Sequence, residues 1–208
     1  MKLHITMAFA FALASCGQQS EPRPDVAQPA ASDELVLTCA DFAPLTPVTI
    51  VERFGAENVT SQTLPRAEGE SYEATLVYAS DPTRRLELTW NEDHSALATV
   101  TVGGATTQWH GAEGYTIGTP IADIERINVM PFKLWGFDWD YGGWVSDWKV
   151  GTFTLQPGCT TRIRFEPRNN SNTSASGDSE FDSNSPAMRD ADPVVASFGL
   201  MFSTPTSE

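Results

Sequence analysis

Two ten-residue stretches of this chain are near copies of each other, and they limit its fold more than any other feature. "TPVTIVERFG" runs from Thr46 to Gly55, and "TPIADIERIN" runs from Thr119 to Asn128, an offset of 119 − 46 = 73 residues. Thr, Pro, Glu and Arg match, and Val48/Ile121, Val51/Ile124 and Phe54/Ile127 are apolar in both. Each copy predicts a short helix. Thr46 and Thr119 serve as N-caps, because a hydroxyl accepts from the unpaired N–H groups of the first turn. Pro47 and Pro120 take the first helical position, where no N–H is needed, and Gly55 and Asn128 suit a left-handed stop. The apolar positions recur at i, i+3 and i+6, on one helical face.

Strands follow each helix. After the first copy come 72–79, 85–90 and 96–102, with Asp81-Pro82 as a turn signal. Tyr72, Ala74, Leu76 and Tyr78 share one face of their strand, as Leu86, Leu88 and Trp90 do on the next. After the second copy come 133–141, 144–148, 152–155 and 160–165, and 194–202 closes the chain. The reading is an α+β domain of two tandem units, each a short helix plus antiparallel strands, forming a sheet with the helices on one face. Such a repeat resembles the fold of the β-lactamase-inhibitor-protein type, of which the small outer-membrane-assembly lipoproteins carry one unit. The run from Gly114 to Ile124 is similar to the glycine-plus-helix opening of those units. The resemblance implies that architecture and a habit of binding other proteins. It implies no active site.

The N-terminus reads as targeting. Lys2 precedes an apolar run from Ile5 to Leu13, too short to span a bilayer, which takes about 20 residues. The run ends in Leu13-Ala14-Ser15-Cys16, which resembles the lipobox of bacterial lipoproteins. That resemblance implies a signal peptide over 1–15, acylation of Cys16, and, with Gly17 rather than Asp next, sorting to the outer membrane. Residues 16–34 are Pro, Gln, Ser and Ala without an apolar period, and predict an extended tether. A single periplasmic or surface domain over 35–208 remains.

With Cys16 acylated, Cys39 and Cys159 are the only other cysteines. In an exported protein two spare cysteines usually pair. The alternative is two free thiols, which lack any Cys/His context. The net charge is −14, and loss of Lys2 makes it more negative still. That disfavours nucleic acid and basic contact with anionic lipid. The lipid anchor is then the membrane contact, with another envelope protein as the expected partner. Residues 168–192 are Ser, Asn and Asp throughout, and predict a polar, mobile loop.

Catalytic and metal candidates are weak. His94 sits in the turn "NEDHS", His110 follows Trp109, and Gly177-Asp178-Ser179 lacks the strand–turn–helix setting of a nucleophile elbow. Asp178, Glu180, Asp182, Asp190 and Asp192 are oxygen-rich, but lack the glycine and final glutamate of a calcium loop, and read as a solvated acidic stretch. No cofactor or metal is expected.

"WGFDWDYGGW", residues 135–144, holds three of the six tryptophans. Gly142-Gly143 predicts a two-residue turn, because both positions of a type I′ turn need positive φ. That register sets 141 against 144, 139 against 146 and 137 against 148. It gathers Phe137, Trp139, Tyr141, Trp144 and Trp148 on one face, and sets Asp138 against Asp147 on the other. The aromatic face reads as core, with Trp144 and Trp148 in it. The same residues allow a sugar site: Trp139, Tyr141 and Trp144 as platforms, Asp138 and Asp147 as opposed carboxylates about 5 Å apart. Two readings follow: a non-catalytic protein-binding lipoprotein of the outer membrane, or a peptidoglycan- or carbohydrate-binding protein or hydrolase. Tryptophans 139 and 144 facing solvent in a cleft favour the second.

Overall fold

The computed structural model describes residues 34–66, 69–154, 158–168 and 174–203. The expected signal segment, Cys16 and all but the last residue of the expected tether lie outside them, as does Leu155. The described residues hold mixed α and β structure, mostly antiparallel sheet with few helices.

Six strands make the main sheet: β2 (Val59–Pro65), β3 (Ser71–Val77), β4 (Leu86–Trp90), β5 (Leu97–Gly103), β9 (Cys159–Pro167) and β11 (Pro193–Phe202). Their spatial order is β2-β3-β4-β5-β11-β9, and every neighbouring pair is antiparallel. A three-stranded sheet sets β7 (Lys133–Trp135) between β10 (Glu180–Asp182) and β8 (Val145–Asp147). A short parallel pair joins β1 (Leu35–Leu37) to β6 (Trp109–Gly111). The strands after the first Thr-Pro segment thus form one unbroken meander, β2 to β5. Those after the second divide, β7 and β8 into the small sheet, β9 and β11 into the main one.

Side chains alternate across the main sheet with period two. Leu86 and Leu88, Val100 and Val102, and Ile163 and Phe165 enter one buried cluster. Glu87 and Thr89, Thr99 and Thr101, and Arg162 and Arg164 are the half-buried residues between and beside them. Leu76 pairs with Glu87, so Tyr72, Ala74 and Leu76 share that outer face, opposite to Leu86 and Leu88. Phe42, Phe132, Phe153, Phe165 and Phe198 are fully buried in the cluster, each worth roughly 1.5–3 kcal/mol of apolar burial. Cys39 and Cys159 form a disulfide with Cα atoms 5.8 Å apart, tying α1 (Cys39–Phe42) to the start of β9 across 120 residues of chain.

The two predicted helices exist but differ in detail. In α2 (Pro47–Phe54) Thr46 is the N-cap, its hydroxyl accepting from the Thr49 N–H at 3.2 Å, while Thr49 Oγ1 accepts from the Thr46 N–H at 2.8 Å. Pro47 opens the helix, and Gly55 ends it at φ 85°. Its inward residue is Ile50, not the expected Val48 and Val51. Val48 is 67% exposed, because Ile50 and half-buried Phe54 form the i, i+4 stripe that meets the core, with Phe54 edge-on to Tyr78. In α3 (Ile121–Asn128) Ile121 and Ile124 are buried as expected, but the ends differ. Pro120, not Thr119, is the N-cap, because this stretch is drawn onto β11: Pro120 bridges Val194, and the Thr119 carbonyl accepts from the Val195 N–H at 2.9 Å. The Thr119 hydroxyl accepts instead from the Thr116 N–H. The left-handed stop is Val129 at φ 60°, and Asn128 is fully buried.

Two other expectations change. Residues 152–154, expected as strand, form a 3-10 turn with Phe153 buried. The stretch expected to be a mobile loop over 168–192 packs from 174 onward: it holds β10 and α4 (Pro186–Ala191), with Ala175, Met188 and Ala191 buried. A few apolar anchors suffice there because the polar residues find partners. Buried Ser183 donates its N–H to the Phe132 carbonyl, accepts from the Phe132 N–H, and donates its hydroxyl to Glu125.

Candidate functional site

The Trp-rich stretch does not form a two-residue hairpin. β7 and β8 pair Lys133 with Asp147 and Leu134 with Val145, and Trp135 N–H donates to the Trp144 carbonyl. Residues 136–144 therefore form a wide connection. The backbone groups that a hairpin would use go to the 174–179 segment instead. Gly136 N–H donates to the Ser179 carbonyl, Phe137 N–H to the Ala175 carbonyl, and Gly177 N–H to the Phe137 carbonyl, at 2.8–2.9 Å. A Cβ at Gly136 would run into the Gly177 and Ala175 carbonyls, which fixes glycine there. Asp138, at φ 66°, then turns the chain out of line with β8.

The rings divide accordingly. Phe137 and Trp148 are buried in the core. Trp148 lies against Phe132 and Phe153, and its indole N–H donates to the Thr161 carbonyl at 2.8 Å. Trp144, expected in the core beside it, is only half-buried. Trp139 is half-buried between Trp135 and Tyr141, and Tyr141 is 63% exposed. The expected opposition of Asp138 to Asp147 is replaced by Lys133 to Asp147. Asp138 accepts from the Ser176 hydroxyl. Asp147 accepts from the Lys149 N–H and pairs with its ammonium, which holds its carboxyl below the usual range. The two carboxylates are thus engaged by different partners.

The wide connection is fastened along the free edge of β9. Phe165 N–H donates to the Gly143 carbonyl at 2.9 Å, Trp144 bridges Arg164, and Arg164 Nε donates to the Gly142 carbonyl at 3.0 Å. Gly143 has φ 77°, and a Cβ there would meet the Phe165 carbonyl, so the close approach requires glycine. The result is a wall over the outer face of the main sheet. Asp140, Tyr141 and Trp144 form one side of a cleft of about 620 Å³. Pro65, Arg66, Glu70 and Tyr72 form the other, and Glu87, Thr89, Thr99, Thr101 and Arg162 line its floor. Trp139 does not line it.

Strand register sets the floor: Glu87 pairs with Thr101, Thr101 with Gly199, and Gly199 with Arg162. The Thr89 and Thr99 hydroxyls are bonded to each other at 2.7 Å. The Arg162 guanidinium lies over the Trp144 ring, 4.3 Å from its centroid, and burial pulls its proton affinity down. The Arg66 guanidinium lies over Tyr72 at 4.9 Å. Tyr72 donates to Glu87 at 2.6 Å, and burial first, then that bond and the Glu87 charge, push its phenol up to about 12. The cleft offers aromatic surface, hydroxyls, carboxylates and two guanidinium groups, the set that holds a polar ligand in a fixed orientation.

The other sequence candidates do not converge. Neither His94, in a turn at φ 56°, nor His110, on β6, lines the cleft. Gly177-Asp178-Ser179 leads into β10 rather than a helix. Glu180 pairs with Lys133, and Asp192 with Arg168. Among the described residues no three His, Cys, Asp or Glu side chains gather as a metal site. Of the cleft residues, Tyr141 and Trp144 alone were legible in the sequence as ligand-site candidates. The floor had a signal in the alternation of "LELT", "TVTV" and "RIRF", whose polar positions share one face.

No protein-family model, curated protein or solved structure matches the chain.

Proposed function

We propose that this chain is a non-catalytic binding module of the cell envelope, held at the outer membrane by acylated Cys16, and that its sheet-face cleft binds an envelope saccharide such as a peptidoglycan fragment. The observation that carries this reading is the cleft wall: Trp144 and Tyr141 stand beside a floor of threonine hydroxyls, Glu87 and Arg162. Sugars present apolar C–H faces and a rim of hydroxyls, and need both aromatic surface and hydrogen-bonding partners at once. The finer fold reading, two tandem units of the β-lactamase-inhibitor-protein type, belongs to the same proposal. It is supported by the two Thr-Pro helices, and weighed against it are their different buried faces.

A protein partner is the second reading, favoured by Val48 and Val51, which are exposed together on the outer side of α2. Calorimetric titration of the soluble domain with muropeptides and short oligosaccharides, beside crosslinking from native envelopes, separates the two. The saccharide reading expects binding that Trp144→Ala abolishes, without bond cleavage. Capture of one protein by a crosslinker on α2, with no saccharide bound, would favour the second. Hydrolysis of the ligand by the wild type would overturn the non-catalytic reading. Cys16→Ser should abolish palmitate labelling, and unchanged labelling would remove the anchor.

A further inference from the structure

We infer that the saccharide taken by this cleft is acidic, carrying a carboxylate that Arg162 holds, with Arg66 across the cleft adding positive charge. The inference rests on the saccharide reading above and narrows it.

In a chain with 27 Asp and Glu against 13 Lys and Arg, a cation has acidic neighbours available. Five arginines of the described residues use them: Arg84 with Asp81, Arg126 with Asp123, Arg164 with Glu166, Arg168 with Asp192 and Arg189 with Glu125. The two arginines of the cleft do not; among the described residues Arg53 and Arg85 form no ion pair either, but Arg53 donates to the Asp41 carbonyl and neither lines the cleft. Among the described residues no carboxylate forms an ion pair with Arg162 or Arg66, although Glu70, Glu87 and Asp140 line the same cleft. Each guanidinium is laid on a ring instead, Arg162 on Trp144 and Arg66 on Tyr72. Stacking occupies the flat face of a guanidinium and leaves its N–H edge free. A free edge, pre-set by a ring, matches a carboxylate through two parallel bonds.

The acids of the cleft favour a carboxylate over a phosphate. Two arginines against Glu70, Glu87 and Asp140 leave the lining one negative charge in excess. A phosphate monoester brings about −1.5 to −2 at neutral pH, and would meet more repulsion than a single carboxylate. The acids then serve as acceptors for sugar hydroxyls, and Glu87, already fixed by Tyr72, is set to do so. Gly199, between Thr101 and Arg162 in the row across the sheet, adds no side chain to the floor at that point.

The test uses three probes on the soluble domain: a glucose disaccharide, the same disaccharide with one glucuronic acid, and the same with one glucose 6-phosphate. The uronate should bind at least about 10-fold tighter than the neutral sugar, the usual scale of one charge-assisted hydrogen-bonded pair, and tighter than the phosphate. Arg162→Gln should weaken uronate binding at least about 10-fold more than neutral-sugar binding, and so erase that preference. Arg66→Gln, at an exposed position, should reduce the preference without affecting folding. Equal binding of neutral and acidic sugars overturns the inference and leaves the saccharide reading standing. A preference for the phosphate, or a uronate preference untouched by both variants, overturns it as well. No binding of any probe overturns the inference, and overturns the saccharide reading as well when muropeptides also fail to bind.

Discussion

Replacing Asn128 by Ala should destabilise the domain by about 2–4 kcal/mol, although the residue contacts no ligand. Asn128 is fully buried at the end of α3. Its amide N–H groups donate to the Met130 carbonyl at 3.1 Å and the Trp148 carbonyl at 3.2 Å, and its oxygen accepts from the Phe153 N–H at 3.3 Å. One side chain thus joins the helix end, the end of the Trp-rich region and the 3-10 turn. Alanine leaves the Phe153 N–H buried without its partner, and leaves the Trp148 carbonyl with the Gly151 N–H at 3.3 Å. A buried polar group left unsatisfied costs about 1–3 kcal/mol; the long Phe153 bond favours the lower half of that range, and the weakened Trp148 carbonyl and the lost side-chain packing supply the rest. For a domain of this size the loss corresponds to a fall in Tm of roughly 5–15 °C. Urea unfolding with the disulfide intact should show a lower midpoint at unchanged slope. Gly151 supplies an internal check. A Cβ there would strike the Asn128 amide, so Gly151→Ala should cost less in the Asn128→Ala background than in the parent, a coupling that a double-mutant cycle reads directly. An Asn128→Ala variant within about 0.5 kcal/mol of the parent would refute the account of Asn128 as a buried fastening.

Trp148→Ala should cost about 3–5 kcal/mol, the range for a buried aromatic, and Trp144→Ala distinctly less; thermal unfolding of the two variants that reversed this order would contradict their burial. The Asp81 carboxyl is held down to about 2 by bonds from Thr83 and Arg84. Its contribution to stability is therefore complete above its ordinary pKa near 3.8 and lost as pH falls toward 2; a carboxyl NMR titration should show the low midpoint and its return upward in Thr83→Ala. The Cys39–Cys159 bridge closes a long loop and should contribute roughly 4–5 kcal/mol by loop entropy. Alkylation of the unreduced, denatured protein should label neither cysteine, and labelling of both would exclude the bond.

How much of this was legible depends on whether the signal was local. The cap of α2 was, because Thr46, Pro47 and Thr49 settle it within one turn. The identical Thr-Pro at 119–120 misled, because Thr119 and Pro120 spend their backbone on Val194 and Val195, more than 70 residues away in sequence. β2 left no trace in the reading: an edge strand of "VTSQTLP" has little apolar alternation to show, since most of its side chains are exposed. The stretch 174–192 read as loop by composition, yet Ala175, Phe181, Met188 and Ala191 anchor it. Composition averages over such isolated contacts.

The cleft shows the same division most sharply. Its floor follows from period-two alternation, so the polar face of the sheet was available from sequence. Its wall does not. Gly142-Gly143 carries a strong local preference for a tight turn, but the 174–179 segment takes the Gly136 and Phe137 backbone groups, and β9 takes Gly143. These long-range hydrogen bonds outweigh the local turn preference because each satisfies a backbone group that a hairpin would also have had to satisfy, while the wider path additionally buries Phe137. Widening the connection also separates Trp144 from Trp148: one ring stays in the core and the other stands over the sheet, stacked on Arg162. The aromatic cluster that reads as a single core face thus becomes half core and half binding surface, and three backbone hydrogen bonds from the 174–179 segment decide which ring does which.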